Sequence, residues 1–310
     1  MILDGLFKIT SDNMDKILVV GCSGLVGGRL MELAACRYEL FGTYNEHEIQ
    51  GKNIYKLDAT DRKNTFRLVE KIKPDCVVDV HSLTNLDYCE THPEETWHTN
   101  VVGSRNIAEA CKNFGCKYIF LSTDYVFDGR KTKKYSEKDK PHPLCYYSKT
   151  KAITEYVLTM LDVDHLTIRS SVIYGKGSNS ARVNFVLWLI SKLKKNESVR
   201  VVDDQRSCPT FADNLIEFIL ALYEKDETGL FHVTGKDCIN RYDFSCEVAN
   251  LFGFDRSLIS QIRTAELHQT AQRPSSVDMS VDKAEKAAKM QTLGIKEGLS
   301  ILKKQIGDRI

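Results

Sequence analysis

The sequence predicts an α/β protein with a doubly wound parallel sheet and a smaller mixed α/β lobe toward the C-terminus. Three observations carry this. From Lys16 onward short apolar runs alternate with longer amphipathic segments, a glycine-rich turn joins the first run to a helix, and the rhythm changes after about residue 170.

The first run, KILVV at 16–20, is continuous and β-branched, the pattern of a strand buried on both faces. A helical pattern follows over 25–37. Further strands are expected at ELFGTY (39–44), IYKL (54–57), CVVDV (76–80), KYIFLS (117–122) and HLTIR (165–169), with helices at 62–72 and 94–114 between them. Alternation of this kind implies βαβ crossovers and a parallel sheet covered on both faces. Beyond residue 170, helical patterns at 183–195, 211–223, 241–252 and 295–306 are joined by the short runs VRVV (199–202) and LFHV (230–233). The expected division is therefore an N-terminal extension over 1–15, a nucleotide-binding domain over 16–170, and mainly a substrate lobe over 171–310. That last boundary is approximate, and the chain is free to cross back over it. Met14 stands just before the first strand, so residues 1–13 are expected to be either a flexible extension or an artefact of the chosen start codon.

Composition narrows the function classes. The 310 residues are 42% hydrophobic and 27% charged, an ordinary globular balance. Forty-three Lys and Arg face 42 Asp and Glu, so the net charge of +1 sets up no field toward nucleic acid or an anionic membrane. No apolar run approaches the roughly 20 residues of a membrane span, and the acidic N-terminus does not read as a signal peptide. The ten cysteines include no C-x-x-C pair and mostly sit in apolar stretches. They read as reduced core thiols of a cytoplasmic protein. Neither they nor the eight histidines form a metal-ligand pattern, so no metal site is expected.

GCSGLVGG follows the first strand directly. Gly21, Gly24 and Gly27 make G-x-x-G-x-x-G, a form of the Rossmann dinucleotide fingerprint. The first glycine permits the tight turn, the second lets backbone N–H groups approach a pyrophosphate at the helix N-terminus, and the third allows close helix–strand packing. The second strand of such a unit normally ends in an acid for the adenosine ribose hydroxyls. Here Tyr44 and Asn45 stand in its place, and Arg29 is within reach of a 2′-phosphate. This favours NADP(H), with NAD(H) left open through Glu46 or Glu48 after a small register shift. Asp58 ends the third strand, where it either accepts from the adenine amino group or caps the helix starting near Arg62.

The fifth strand runs into LSTDYVFDG, and PLCYYSKTKA then begins a helix. Tyr147 and Lys151 are four residues apart and share a helix face, roughly 6 Å apart along the axis. That spacing alone is uninformative, but Ser122 and Thr123 end a buried parallel strand at its carboxyl edge, where open sheets bind ligands. A phenol with a pKa near 10 is a poor acid–base at neutral pH. A neighbouring ammonium and an oxidised nicotinamide would stabilise the phenolate. Tyr147 would then protonate a carbonyl oxygen that Thr123 holds in line, and Lys151 would also anchor the ribose hydroxyls.

These motifs resemble the extended short-chain dehydrogenase/reductases, and more closely the dTDP-4-dehydrorhamnose reductase family. The likeness extends over nearly everything from Lys16 onward. It rests on GCSGLVGG, LTNLDYCE (83–90), Asn100 in TNVVGSRNIAEAC, STDYVFDG (122–129), YSKTK (147–151), RSSVIYG (169–175), DDQRSCPT (203–210) and RPSSVDMS (273–280). The resemblance implies catalytic roles for Thr123, Tyr147 and Lys151, with Thr84, Asp124, Tyr125 and Asn184 facing a sugar. It implies a cofactor shell of Gly21, Gly24, Leu25, Val26, Gly27 and Arg29 on the first turn and helix. Asn45, Asp58, Ala59, His81, Ser82 and Leu83 would complete that shell, together with Tyr147 and Lys151.

The chain departs from the family in two places. Asp79-Val80-His81-Ser82 replaces the usual Asn-Ala-Ala after the fourth strand, and Val172 replaces a frequent aromatic. His81 either lines the cofactor or fills space.

The implied activity is hydride transfer from NADPH to the 4-keto group of a nucleotide-linked deoxysugar, with dTDP-4-dehydrorhamnose as leading substrate and dTDP-rhamnose as product. The expected partners are that nucleotide sugar and, at most, a second copy in a homodimer, with no nucleic acid and no membrane. One rival is a regulatory, non-catalytic subunit resembling that of methionine adenosyltransferase, kept open by GIKEGL (294–299). Another is a nucleotide-sugar epimerase or dehydratase. A dehydratase would set an Asp-Glu pair beside the threonine, where this chain has Asp124-Tyr125.

Overall fold

The computed structural model describes residues 14–177 and 184–307; the expected extension lies outside them as far as residue 13. Strands β1 (Lys16–Val20), β2 (Glu39–Tyr44), β3 (Ile54–Lys56), β4 (Cys76–Asp79), β5 (Lys117–Thr123) and β6 (His165–Ser170) alternate with helices. These are α1 (Leu25–Leu33), α2 (Arg62–Ile72), α3 (Leu86–Thr91), α4 (Pro93–Trp97), α5 (Ser104–Phe114) and α6 (Tyr146–Leu161). Short strands β7 (Ile173–Tyr174), β8 (Val199–Val202), β9 (Arg206–Ser207) and β10 (Thr210–Phe211) follow, then β11 (Gly229–His232), β12 (Ile239–Asn240) and β13 (Ile259–Ile262). The remaining helices are α7 (Phe185–Lys194), α8 (Ala212–Glu224), α9 (Arg241–Phe252), α10 (Asp282–Ala288) and α11 (Ile295–Ile306).

Seven strands form one parallel sheet in the order β11-β6-β5-β4-β1-β2-β3. The order reverses between β1 and β4, so the loops after those two strands open a crevice at the carboxyl edge. Side chains alternate across the sheet. Ile17, Val19, Cys76, Val78 and Ile119 pack on one face with Val26 and Leu30 of α1 and with Leu215, Ile216 and Ile219 of α8. Leu18, Val20, Val77, Tyr118 and Phe120 pack on the other with Val69 of α2 and Ile107 and Cys111 of α5. A second core joins α7, α9 and α11 to the β8–β13 pair.

Local chemistry sets the helix ends. Asp61 caps α2 through the Asn64 amide at 3.0 Å, and α5 stops at Gly115, whose φ of 72° continues the turn left-handed. The stretch expected as a helix over 94–114 is helical throughout, as α4, a π-helical segment at His98–Gly103, and α5. The chain crosses back: LFHV supplies β11, which extends the large sheet beside β6, and α8 packs on α1.

Two expectations are corrected. Cys208 and Cys238 are joined by a disulfide rather than both being free thiols. The antiparallel register Ser207↔Ile239 of β9 and β12 sets these flanking residues opposite each other, with Cα atoms 4.0 Å apart. The other eight cysteines are free, and all but Cys36 are buried. Arg29, expected at a 2′-phosphate, instead makes a bidentate pair with Asp213 of α8, both bonds 2.7 Å, and a third contact with Glu32. It lies one turn beyond the helix start, so its guanidinium meets α8 rather than the crevice. The pair is largely shielded, with side-chain exposures of 11% and 16%. Arg29→Ala should therefore lower stability by about 1–3 kcal/mol in urea titration, the cost of stranding the Asp213 carboxylate. The ratio of NADPH to NADH affinity should not change.

Candidate active site

The crevice has two chambers that share Gly21, Gly24, Val80 and Ser82. One runs over the ends of β2 and β3 and is lined by Asn45, Asp58, Ala59, His81, Ser82 and Leu83, with Tyr44, Glu46 and His47 at its edge. The other, of ≈ 470 Å³, is lined by Gly27, Leu25, Val26, Thr84, Thr123, Asp124, Tyr125, Tyr147, Lys151 and Asn184. Every site residue expected from the sequence lies on one of these walls except Arg29.

The β1–α1 turn forms the bridge between the chambers. Gly21 has φ of 92°, and a Cβ there would stand 2.9 Å from the His81 backbone. A Cβ on Gly27 would stand 2.5 Å from the Gly21 carbonyl oxygen, so that residue must stay bare for the helix to start so close. Gly24 offers no side-chain cap, and the first helical bond of α1 is donated by Gly28 to Gly24. The amides of Leu25, Val26 and Gly27 consequently lack helical acceptors at the positive end of a helix dipole. This cradle fits the pyrophosphate of a dinucleotide.

At the far end, Thr123 terminates β5, and its Oγ1 accepts from the Tyr125 amide at 3.2 Å and donates to Asp124 Oδ1 at 3.1 Å. Tyr147 and Lys151 project from α6 and are 8% and 3% exposed. Burial pushes the Tyr147 phenol well above the ordinary tyrosine range, against the opposing pull of the Thr123 hydroxyl. Burial also draws Lys151 down to about 8, with Asp79 and Glu155 resisting. The Lys151 ammonium donates to the Leu121 carbonyl at 2.8 Å and sits 4.5 Å over the Phe120 ring. A phenol, a hydroxyl and an ammonium therefore meet at the carboxyl edge of the sheet, in the chamber next to the glycine cradle. Such a set can deliver a proton to an oxygen and stabilise the anion left behind.

The sequence profile of the RmlD substrate binding domain matches residues 14–306, nearly the whole chain. The chain belongs to this family. It is 29% identical over 294 residues to dTDP-4-dehydrorhamnose reductase of Aggregatibacter actinomycetemcomitans, a match covering 90% of this chain and 95% of the relative. It is 30% identical over 280 residues to the probable low-salt glycan biosynthesis reductase Agl14 of Haloferax volcanii, covering 89% and 93%. Methionine adenosyltransferase 2 subunit beta of Rattus norvegicus is also similar, 26% identical over 292 residues and covering 90% and 83%. Among solved structures, dTDP-4-dehydrorhamnose reductase from Bacillus anthracis in complex with NADP superposes with a TM-score of 0.85. That match covers 94% of this chain and all of the other, and at 24% identity it shares the fold.

Two groups of this RmlD-family crevice, Arg241 and Asn100, were given no role from sequence. Arg241, at the start of α9, lines the chamber that holds Tyr147 and Lys151 and stacks 4.7 Å over Phe185. Asn100, inside the π-helical segment, accepts from the Leu83 amide at 2.8 Å and donates to Thr150 on α6 at 3.2 Å. It thereby ties the Leu83 loop to α6. Val172 holds φ of 25°, strained for a β-branched residue, where it lines the chamber. Asn184 caps α7 through the Leu187 amide and donates to the Gly175 carbonyl at 2.8 Å. Asp58 binds the Thr60 amide and hydroxyl, while Asp61 takes the helix-capping role.

His81 is anchored through both ring nitrogens. Its Nδ1 bonds the fully buried Asp79 carboxylate, and its Nε2 lies 3.0 Å from the Thr99 carbonyl oxygen. With Asp79 ionised both partners are acceptors, an arrangement that favours a ring donating from both nitrogens. Burial opposes both charges, but mutual attraction prevails: Asp79 is lowered from 3.8 and His81 raised from 6.5. Asp79's contribution to stability is present above 3.8 and is lost as pH falls through its lowered folded pKa. His81's is present below 6.5 and is lost as pH rises through its raised folded pKa. His81→Leu should cost about 3–5 kcal/mol at pH 5.5, and less once pH has risen through the raised folded pKa of His81, by urea denaturation of both proteins. A cost independent of pH would mean a neutral ring.

Proposed function

We propose that this protein is a reductase that carries hydride from NADP(H) to the 4-keto group of a nucleotide-linked deoxysugar. The leading substrate is dTDP-4-dehydrorhamnose, and the product dTDP-rhamnose. The observation that carries the reading is the convergence of Thr123, Tyr147 and Lys151 in a chamber continuous with the uncapped glycine turn. The reductases among the relatives support it, since the match to them runs nearly end to end.

When bound, the nicotinamide supplies the hydride. Tyr147 donates its phenolic proton to the carbonyl oxygen as the carbon is reduced, so one proton and one hydride add across the double bond. Thr123 holds the same oxygen in line, and Lys151 lowers the cost of the phenolate. The Arg241 guanidinium suits the diphosphate of the sugar nucleotide, whose remote binding energy would orient the reacting carbon. Preference for NADP(H), with NAD(H) the alternative, rests on Tyr44 and Asn45 standing where a ribose-binding acid would repel a 2′-phosphate. The NADP complex of the Bacillus anthracis relative agrees with it.

The decisive experiment mixes NADPH-loaded protein with dTDP-4-dehydrorhamnose and follows loss of the reduced nicotinamide signal in one turnover. Tyr147→Phe should slow this by at least about a hundredfold, the usual worth of a positioned acid, with cofactor affinity nearly unchanged. Tyr146→Phe is the control, since its side chain points about 100° away around the same helix. No oxidation with that sugar or related 4-keto sugars, together with tight association with a methionine adenosyltransferase, would replace the enzyme by the regulatory-subunit reading.

A further inference from the structure

Asp124 lines the substrate chamber, yet both of its carboxylate oxygens are already engaged within the protein. It is 2% exposed, with Oδ2 accepting from Ser171 Oγ at 2.6 Å and Oδ1 from Thr123 Oγ1 at 3.1 Å. The same Thr123 oxygen accepts from the Tyr125 amide, and its hydroxyl also interacts with the Tyr147 phenol. A threonine hydroxyl carries a single hydrogen. That hydrogen can serve the Asp124 carboxylate, or it can serve Tyr147 and a substrate oxygen, but not both.

We propose that Asp124 is a positioning residue whose protonation decides where the Thr123 hydrogen points. Ionised, Asp124 draws that hydrogen away from the reacting oxygen. When Asp124 takes up a proton from solvent, its Oδ1–H donates to Thr123 Oγ1. The two lone pairs of Thr123 are then filled by Tyr125 and Asp124, and its hydrogen turns toward Tyr147 and the carbonyl. Oδ2 keeps its bond from Ser171 in both states, so the switch needs no backbone movement.

Burial places this change in a useful range, pushing Asp124 up to about 6 despite the opposing Ser171 and Thr123 bonds. The titratable and charged groups around this corner are Tyr147 and Lys151 on α6, Cys145 at its N-cap, Tyr125 on the same turn, and Arg241 on α9. Arg273 also faces Tyr125, and its charge is taken up bidentately by Asp87 at 2.8 Å.

The proposal rests on the reductase reading, so the test has one arm that uses turnover and one that does not. In the first, the single-turnover rate of NADPH oxidation is measured against pH. The wild type should lose about tenfold or more as pH rises through a transition near 6, the scale of a withdrawn oxyanion donor. Asp124→Asn keeps a donor toward Thr123 and an acceptor for Ser171 at every pH, so the transition should vanish whatever the absolute rate. A transition that survives in Asp124→Asn overturns the proposal, because a merely structural residue would alter the rate without removing it. In the second arm, 13C NMR of the aspartate carboxyls follows the resonance that disappears in Asp124→Asn. Its midpoint should rise in Thr123→Val and in Ser171→Ala, each of which removes a donor to the carboxylate. A midpoint unmoved in Thr123→Val overturns the proposal without reference to activity. Absence of NADPH oxidation at every pH would instead defeat the reductase reading and leave the NMR titration to decide.

Discussion

Asp79 stands at the carboxyl end of β4 with no solvent exposure, and groups from three elements converge on its carboxylate. The Tyr118 hydroxyl on β5 donates at 2.5 Å and the Ser104 hydroxyl on α5 at 2.8 Å, while the His81 ring bonds it from the following loop. An ionised group in that position is tolerable only when its lone pairs and its charge are both answered. Answering them fixes the crevice floor. His81 is locked between Asp79 and the Thr99 carbonyl, and its backbone is the wall against which Gly21 turns. Thr99 and the adjoining Asn100 belong to the π-helical segment, and Asn100 in turn holds the Leu83 backbone and α6. The same carboxylate helps keep Lys151 protonated against its burial. The glycine turn, the Leu83 loop and α6 thus share one electrostatic anchor.

How legible this was in the sequence depends on the range of the interaction concerned. The glycine turn, the strand ends and the Tyr147/Lys151 face are set by neighbours within a few residues, and periodicity reads such neighbours directly. Arg29 failed because its partner is 184 residues away: nothing near the first helix announces that Asp213 will arrive beside it. The Cys208–Cys238 bridge depends on the register of β9 against β12, which spacing in the chain does not encode. LFHV was readable as a strand, but its pairing with β6 is a choice of partner that a local pattern cannot express. The π-helical insertion at His98–Gly103 lies inside a run that reads as ordinary helix, so the placement of Asn100 was hidden too. His81 was legible only as an oddity. A histidine where small residues are usual marks a changed environment, and the structure supplies its partner two residues back.

Burial also bears on the direction of the proposed chemistry. Tyr147 is pushed up and Lys151 down, each chiefly by its own desolvation in the chamber as it stands. A buried phenol of this kind keeps its proton until something accepts it. That suits an acid acting on a carbonyl more than a base waiting to abstract. Lys151, near 8, remains mostly protonated at neutral pH and so can answer the phenolate as it forms. The Thr123 hydrogen is the adjustable third term, because its direction alone can change without moving a heavy atom. In a site where the phenol and the ammonium are both fixed on one helix, a neighbouring carboxyl that redirects a hydroxyl is the least disruptive way to tune the anion's stability.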